Sequence, residues 1–187
     1  MRFDRPSPGP PLSRASLVIG LYGALALIAL MLSSGRGDPD VYRMADRPGW
    51  VLLLSPLLGV VLGLAVVIAS RIAVTHLEWA RALHRAFRDL LGPLTNREIL
   101  VLAASSAIGE ELLFRGALMP WFGLIPSTLA FGLLHIGPGV RFLPWTVSAL
   151  AMGFAFGALA QATGDLGGPI AAHFVINLLN LRFITRP

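Results

Sequence analysis

The chain of 187 residues contains no cysteine, so disulfides, thiolate metal sites and cysteine nucleophiles are excluded. Lysine is missing as well, and all 15 basic residues are arginines, which fits a high-GC coding bias as readily as a function. Charged residues make up only 13% of the chain, about half their share in an average soluble domain. Hydrophobic residues make up 55%, and mean hydropathy is +0.72. This composition is typical of a protein that is embedded in a lipid bilayer.

The basic charge does not indicate nucleic acid as a partner. A net charge of +5 and a pI near 11.2 are typical of some nucleic-acid-binding domains. Here, however, the arginines lie between apolar segments, where the positive-inside rule of membrane proteins places them. We therefore expect a lipid bilayer and no nucleic acid among the partners.

Six apolar segments are separated by polar or Pro/Gly-rich breaks, which predicts an all-α polytopic membrane bundle of about six transmembrane helices. The segments are 15–32, 50–70, 99–119, 125–136, 142–160 and 169–184. The fourth is short for a bilayer that needs roughly 20 residues, so it is tilted, re-entrant or buried by its neighbours. The first has a long core and a poor cleavage site after it, which favours an uncleaved helix over a signal peptide.

Arginine placement orients the bundle. Segment 71–97 carries five arginines and two acidic residues, so it is expected in the cytoplasm, whereas the charge-balanced loop 33–49 and Asp165 are expected outside. The other residues expected inside are Arg2, Arg5, Arg14, Arg141, Arg182 and Arg186. Both termini are then cytoplasmic, in what we expect to be a bacterial inner membrane.

Segment 71–91 alternates apolar and basic residues at helical spacing. It is predicted to be an amphipathic cytoplasmic helix between spans two and three, lying on the membrane surface. A connecting helix that is exposed to water is an equally good interpretation of this segment. The chain then divides into 1–97, with the tail, two spans and this segment, and 98–187, a four-helix membrane core.

Ionisable residues within the third span are the most informative feature of the chain. Glu110, Glu111 and Arg115 interrupt an otherwise apolar segment, where unpaired charges cost several kcal/mol. Glu111 and Arg115 stand at i and i+4 with the acid first, the favourable order for an ion pair. Glu110 points about 100° away and needs a partner elsewhere, for which His135 and His173 are the candidates.

Two further spans present polar faces. Phe131 and His135 are four residues apart on the fourth span, and His173 and Asn177 are four apart on the sixth. Such residues can serve only as hydrogen-bonding contacts between helices, worth roughly 0.6–2 kcal/mol each. One unpaired acid, two histidines and an amide on three helices favour a functional site instead.

These three motifs, each in its own span and in this order, resemble those of the CAAX protease and bacteriocin-processing family (CPBP, or Abi) of intramembrane proteases. They read Glu110-Glu111-Leu-Leu-Phe-Arg115, Phe131-Gly-Leu-Leu-His135 and His173-Phe-Val-Ile-Asn177. Together they cover 99–184, nearly half of the chain.

The resemblance implies hydrolysis of a peptide bond within or beside the membrane, without a cofactor. By motif position, Glu110 and His135 would activate water, while His173 and Asn177 would stabilise the oxyanion. Glu111 and Arg115 would support the helix and tune the site. The substrate implied is a membrane-anchored protein or peptide, since bacterial relatives are associated with processing of both.

Three alternatives remain open. Glu110, His135 and His173 could supply three ligands to a catalytic zinc, although no His-Glu-x-x-His helix is present. A non-catalytic membrane assembly or immunity factor could use the same polar core for binding. A transporter fits less well, because the first two spans contain no acidic residue, no basic residue and no histidine.

Overall fold

A computed structural model describes residues 13–38 and 40–185. Within this part of the chain there are helices and no β-strand, apart from one isolated bridge between Arg43 and Asp165. The protein is an all-α membrane helix bundle, as its sequence predicts. Arg2, Arg5 and Arg186, which were assigned to the cytoplasm above, lie outside the described residues.

Each predicted apolar segment forms a helix. The bounds are α1 Arg14–Gly35, α2 Val51–His76, α3 Glu78–Leu91, α4 Asn96–Glu111 with its extension through Leu112–Leu118 and Met119–Phe122, α5 Leu124–Leu133, α6 Leu143–Thr163 and α7 Gly167–Thr185. The middle part of the α4 extension is a π-helix of 7 residues. A 3-10 turn, Val140–Phe142, leads into α6.

Length and composition separate these helices into two groups. Three stretches, Arg14–Gly35, Val51–His76 and Val140–Thr163, are long and apolar enough to cross a membrane on their own. Helix α5 has 10 residues. It is therefore about 15 Å long, half of a hydrocarbon core of roughly 30 Å. The sequence was right that the fourth segment is short, and that helices α4 and α7 carry the polar residues.

The amphipathic segment begins later than predicted. Helix α2 continues to His76, the backbone is extended at Leu77, and only Glu78–Leu91 forms the separate helix α3. Arg71 therefore belongs to α2, where its guanidinium donates to the Asn180 side chain at 2.9 Å. The prediction of a surface helix starting at Arg71 is wrong, because a partner on α7 holds this arginine within the bundle.

Small residues let the helices approach closely. A Cβ on Gly63 of α2 would lie 2.9 Å from the carbonyl oxygen of Ala172, and one on Gly59 would collide with the carbonyl of Gly168. A Cβ on Gly109 of α4 would lie 2.7 Å from the carbonyl oxygen of Tyr22 on α1. Gly59 and Gly63 are therefore packing positions of α2, and α2 and α1 support the two helices with the polar motifs.

The loop between α1 and α2 covers the turn between α6 and α7. The amide of Met44 donates to the Gly164 carbonyl at 2.8 Å, and the amide of Leu166 donates to the Tyr42 carbonyl at 3.1 Å. Burial, together with the charge of Asp165, raises the pKa of the Tyr42 phenol. The loop is therefore a structured part of the fold.

Asp165 fixes the start of α7 against α2. Its Oδ1 accepts hydrogen bonds from the Ser55 hydroxyl and the Gly167 amide, both at 2.7 Å. The Ser55 oxygen in turn accepts from the Gly168 amide at 2.8 Å. Asp165 thus satisfies backbone donors at a helix N-terminus.

The orientation of the bundle can be tested with reporter fusions. We expect a fusion after Arg88 to report the cytoplasm and fusions near Asp40 and Asp165 to report the outside, because arginine-rich segments stay inside. Paired alkaline phosphatase and green fluorescent protein reporters measure the two sides independently. Phosphatase activity of the fusion after Arg88 would show that the bundle has the opposite orientation.

Candidate active site

Helix α4 carries the acidic motif, and its start is well defined. Thr95 accepts a hydrogen bond from the Glu98 amide at 3.2 Å, and the Glu98 carboxylate accepts from the Thr95 amide at 2.9 Å. The backbone donor of Thr95, with its hydroxyl, holds the pKa of Glu98 below its usual range. This capping box fixes where the helix begins and so the rotational position of every residue along it.

Glu111 and Arg115 form the predicted ion pair. The Nη1 of Arg115 donates to Oε1 of Glu111 at 2.9 Å, and the side chains of the arginine and the acid are 1% and 0% exposed. The Nη2 of Arg115 donates to the Gly153 carbonyl at 3.0 Å, which ties α4 to α6. Two buried charges are thereby paired and hydrogen-bonded, as a low-dielectric interior requires.

Aromatic rings surround the guanidinium of Arg115. Its Cζ lies 4.3 Å from the ring centroid of Phe131 and 5.5 Å from that of Phe156. A cation over an aromatic face is attracted by the ring quadrupole. Phe131 of the second motif therefore supports Arg115 of the first.

The histidine of α7 binds the same carboxylate. Nδ1 of His173 lies 2.8 Å from Oε1 of Glu111. The ring of His173 also stacks on Phe156, with centroids 5.5 Å apart and planes 27° apart. Because Glu111 is paired with Arg115 and accepts, Nδ1 of His173 is the donor, and the orientation of the imidazole is fixed.

Glu110 faces both histidines. Its Oε2 lies 3.7 Å from Nε2 of His135 and 4.0 Å from Nε2 of His173. Nδ1 of His135 is 2.7 Å from the carbonyl oxygen of Phe131, which can only accept, so this nitrogen carries a proton. In the neutral ring, Nε2 of His135 therefore presents a lone pair to Glu110. The Oε2 atom of Glu110 is buried and has no hydrogen-bonding partner within residues 13–38 and 40–185.

Asn177 lies one helical turn from His173 on α7. Its amide nitrogen donates to the hydroxyl of Ser106 at 2.9 Å, and Ser106 is one turn before Glu110 on α4. One N–H of the Asn177 amide remains after this contact. All of the sequence-predicted site residues thus lie along one contact region between α4, α5 and α7.

Three candidate zinc ligands are close to one another, but the described residues contain no group of three or more histidine or acidic side chains arranged to hold a metal ion. The two separations from Glu110, 3.7 Å and 4.0 Å, exceed the roughly 3.4 Å between ligand atoms that zinc distances near 2.0–2.1 Å give in a tetrahedron. Nδ1 of His135 is hydrogen-bonded to the Phe131 carbonyl and Nδ1 of His173 to Glu111, which leaves Nε2 of each ring as the atom that faces Glu110.

The structure adds side chains that the sequence did not reveal. Ser106 binds Asn177, Phe156 stacks on His173, and Gly153 accepts from Arg115. Tyr22 of α1 packs closely against Gly109, the residue before Glu110. Ser106 had a usable signal, since it precedes Glu110 by four residues on the same helix face. The other three lie on helices whose rotation the sequence does not reveal.

A family model described as Type II CAAX prenyl endopeptidase Rce1-like matches residues 94–179, which include every residue of the three motifs. Residues 94–179 are thus similar to the Rce1-like family, over slightly less than half of the chain. The match confirms the family resemblance drawn from the motifs, and the family is described as one of endopeptidases, which are hydrolases. Helices α1, α2 and α3 lie outside the match.

Comparison with curated proteins finds a relative in Bacillus subtilis (strain 168), the uncharacterized protein YpbD. It is 35% identical over 79 residues, which cover 42% of this chain and 41% of YpbD. The similarity therefore spans less than half of either chain. No solved structure matches the chain.

The Rce1-like core should depend on the buried ion pair for its stability. We expect Glu111→Gln to destabilise the fold by about 3–5 kcal/mol, because Arg115 keeps its charge in a buried site without a counter-ion. The loss of stability is measured by heating the purified protein in detergent and recording the fraction of protein that remains monodisperse at each temperature.

A double variant, Glu111→Gln with Arg115→Met, serves as the control. Removing both charges should recover much of the lost stability, because no uncompensated charge then remains. A single variant as stable as the unmodified protein would show that the pair contributes nothing to folding.

Proposed function

We propose that this protein is an intramembrane endopeptidase in which Glu110 and His135 activate a water molecule. The observation that supports this most directly is the environment of Glu110. Its Oε2 is buried, has no hydrogen-bonding partner among the described residues and faces the Nε2 atoms of two histidines at 3.7 Å and 4.0 Å. A buried carboxylate oxygen without a partner lowers the stability of the fold, and such atoms in native structures are often explained by a catalytic role or by a bound water.

A water molecule suits this arrangement because the facing atoms are acceptors. The Oε2 of an ionised Glu110 accepts, and so does Nε2 of His135 in the tautomer that its bond to the Phe131 carbonyl sets. Water can donate one proton to each of the two. Its oxygen lone pairs then remain directed away from both, toward a substrate carbonyl.

His173 and Asn177 supply the oxyanion site in this proposal. Nδ1 of His173 is held by Glu111, so Nε2 donates only when the ring is protonated. With Glu110 ionised, a protonated His173 also makes the buried group of four charges neutral, together with the Glu111–Arg115 pair. The free amide N–H of Asn177 is the second donor. Oxyanion donors in a water-poor site contribute roughly 2.7–4 kcal/mol each.

The chemistry then balances. Glu110 accepts a proton from water, and the hydroxide oxygen forms a bond to the scissile carbonyl carbon. Electrons move onto the carbonyl oxygen, where His173 and Asn177 stabilise the charge. When the tetrahedral intermediate collapses, the carbon–nitrogen bond breaks and the leaving amine takes the proton from Glu110.

The proposed substrate is a membrane-anchored protein or peptide, and the proposed location is a bacterial inner membrane with both termini in the cytoplasm. The site lies along helices that pack in the bundle, so a substrate must reach it through lipid or from a membrane surface. The lipid bilayer is the other expected partner, and no cofactor is required by the steps above.

Replacement of the proposed base tests this function. We expect Glu110→Gln to abolish cleavage, a loss of at least about 100-fold, with little loss of folded protein, because the isostere keeps the packing but cannot accept a proton. Membrane proteomes of cells with the unmodified and variant proteins are compared for new N-termini and C-termini. Glu78→Gln, at an exposed position on α3, is the matched control and should behave as the unmodified protein.

Three outcomes contradict the proposal. New termini that persist in the Glu110→Gln cells would show that cleavage does not require Glu110. A folded Glu111→Gln protein that alone lost activity would exchange the assignments of the two glutamates. Absence of any Glu110-dependent termini would favour a binding or assembly role for the same polar core.

Metal content distinguishes direct activation of water from a zinc mechanism. We expect purified active protein to contain well under one equivalent of zinc, and activity to survive strong chelators, because the proposed oxyanion role of His173 needs a ring that is free of metal. Elemental analysis of the purified protein measures the metal. The proposal is contradicted if the protein contains stoichiometric zinc and its activity is lost on removal of the zinc and restored by zinc alone. Glu110, His135 and His173 would then be assigned as zinc ligands.

A further inference from the structure

The backbone of His135 is held by a helix other than the one that precedes it. Helix α5 ends at Leu133, so the carbonyl oxygen of His135 lies past the regular hydrogen bonds of that helix. The hydroxyl of Thr146, in the first turn of α6, donates to this oxygen at 2.7 Å. Because backbone carbonyls away from water are costly without a hydrogen bond, Thr146 both satisfies this carbonyl and fixes the backbone of a residue that faces Glu110.

The hydroxyl of Thr146 does not make the contact that is usual within a helix. Serine and threonine hydroxyls in helices commonly bond to the carbonyl three or four residues earlier in the same helix. Ser148, two residues further along α6, makes this contact with the Pro144 carbonyl at 2.7 Å. Thr146 instead reaches a carbonyl 11 positions earlier, outside α6. Its hydroxyl therefore joins α6 to the turn with His135.

Two aromatic rings contact the imidazole of His135. The ring centroid of Phe131 lies 4.4 Å away, with the planes 34° apart, and that of Trp145 lies 5.1 Å away, with the planes 64° apart. Rings packed in this way limit the rotation of the side chain between them. Trp145, the residue before Thr146, thus contacts the ring of the histidine whose backbone Thr146 holds.

Helix α3 supports Trp145 in turn. The ring of Phe87 meets that of Trp145 edge to face, with centroids 5.2 Å apart and planes 89° apart. The same phenylalanine meets Phe142, directly before α6, at 5.1 Å. A Cβ on Gly137 would collide with the Phe142 side chain, so the glycine lets the turn after His135 lie against the start of α6. Contacts from α3, outside the family-matched residues 94–179, therefore extend to the proposed site.

We propose that Thr146 and Trp145 are positioning residues for His135, in which the hydroxyl fixes the backbone and the indole restrains the ring. The inference rests on the proposed function, in which Nε2 of His135 binds the activated water. Nε2 keeps its lone pair only while Nδ1 donates to the Phe131 carbonyl, so displacement of the His135 backbone would break the contact that sets the tautomer. Misplacement of a catalytic group by about 1 Å can cost about 100-fold in rate.

Nuclear magnetic resonance of the purified full-length protein with isotope-labelled histidine tests the positioning without any substrate. The chain has 4 histidines, and the signals that disappear in His135→Gln identify His135. We expect the neutral ring of the unmodified protein to show one tautomer, protonated at Nδ1. Thr146→Val, which removes the hydroxyl and keeps a branched side chain, should give a mixture of both tautomers, as should Trp145→Leu. Thr146→Ser, which keeps the hydroxyl, should restore the single tautomer.

Activity provides the second measurement. Cleavage in membranes, followed as the rate of formation of Glu110-dependent new termini, should fall at least about 10-fold in Thr146→Val and Trp145→Leu and recover in Thr146→Ser. Ser148→Ala is the matched control, because it removes an exposed hydroxyl of α6 whose bond stays within that helix. It should leave both the tautomer and the rate unchanged.

Two results would overturn the positioning role. One is a single Nδ1-protonated tautomer in Thr146→Val, and the other is an unchanged cleavage rate in that variant. If Thr146→Val does not fold, the same two results in Trp145→Leu decide the matter. An unmodified protein that forms no Glu110-dependent termini would contradict the proposed function and with it the catalytic purpose of the contact, whereas the tautomers would still show whether Thr146 positions His135.

Discussion

One buried carboxylate oxygen organises the centre of this molecule. Oε1 of Glu111 accepts from Arg115 at 2.9 Å and from His173 at 2.8 Å. The arginine also donates to the Gly153 carbonyl, so this oxygen and its partners join α4, α6 and α7. Charges in an apolar interior are tolerated only when they are paired and hydrogen-bonded, so the three helices cannot move apart without exposing an uncompensated charge.

The π-helical segment after Glu111 shows how the rest of the fold adjusts to this constraint. Its wider turn pairs the Met119 amide with the Phe114 carbonyl, and the hydroxyl of Ser127 donates to the same carbonyl at 2.7 Å. Arg36 donates to the Ala117 carbonyl at 2.8 Å. Side chains from α5 and from the end of α1 thus satisfy buried carbonyls of the irregular turn. The loop between α1 and α2 is in this way connected to the helix with the acidic motif.

Local features of the sequence were predictive where the physical partner is four residues away. The Glu111–Arg115 pair follows from helical spacing alone, and the presence and order of the apolar helices follow from composition, whereas their ends differ by several residues from the predicted ones. The packing of Gly59 and Gly63 follows from their small size and spacing. The three polar motifs could also be assigned to one site, because each gives its helix a single polar face.

Contacts between helices were not predictable to the same degree. The sequence offered His173 to Glu110 as a partner, whereas its Nδ1 binds Glu111 and only its Nε2 faces Glu110. Arg71 was assigned to a surface helix because its charge matched that segment, yet its partner Asn180 is 109 positions away. Partner choice across helices depends on the rotation and depth of each helix, which no local pattern encodes. The π segment was missed for the same reason, since tertiary contacts satisfy its carbonyls.

The two adjacent glutamates explain how one helix can carry both structure and chemistry. Neighbouring residues on a helix point about 100° apart, so Oε1 of Glu111 can bind Arg115 and His173 while Glu110 faces the two imidazoles with a buried oxygen that has no hydrogen-bonding partner among the described residues. The proposed hydrolysis also needs water, and α5, at about 15 Å, is only about half as long as a hydrocarbon core is thick. Non-helical backbone at membrane depth is tolerated where it is buried in protein or lines a water-filled cavity. His135 lies two residues beyond the end of α5, is partly exposed and faces the unpaired oxygen of Glu110, so we expect the water of the proposed reaction to enter on its side of the site.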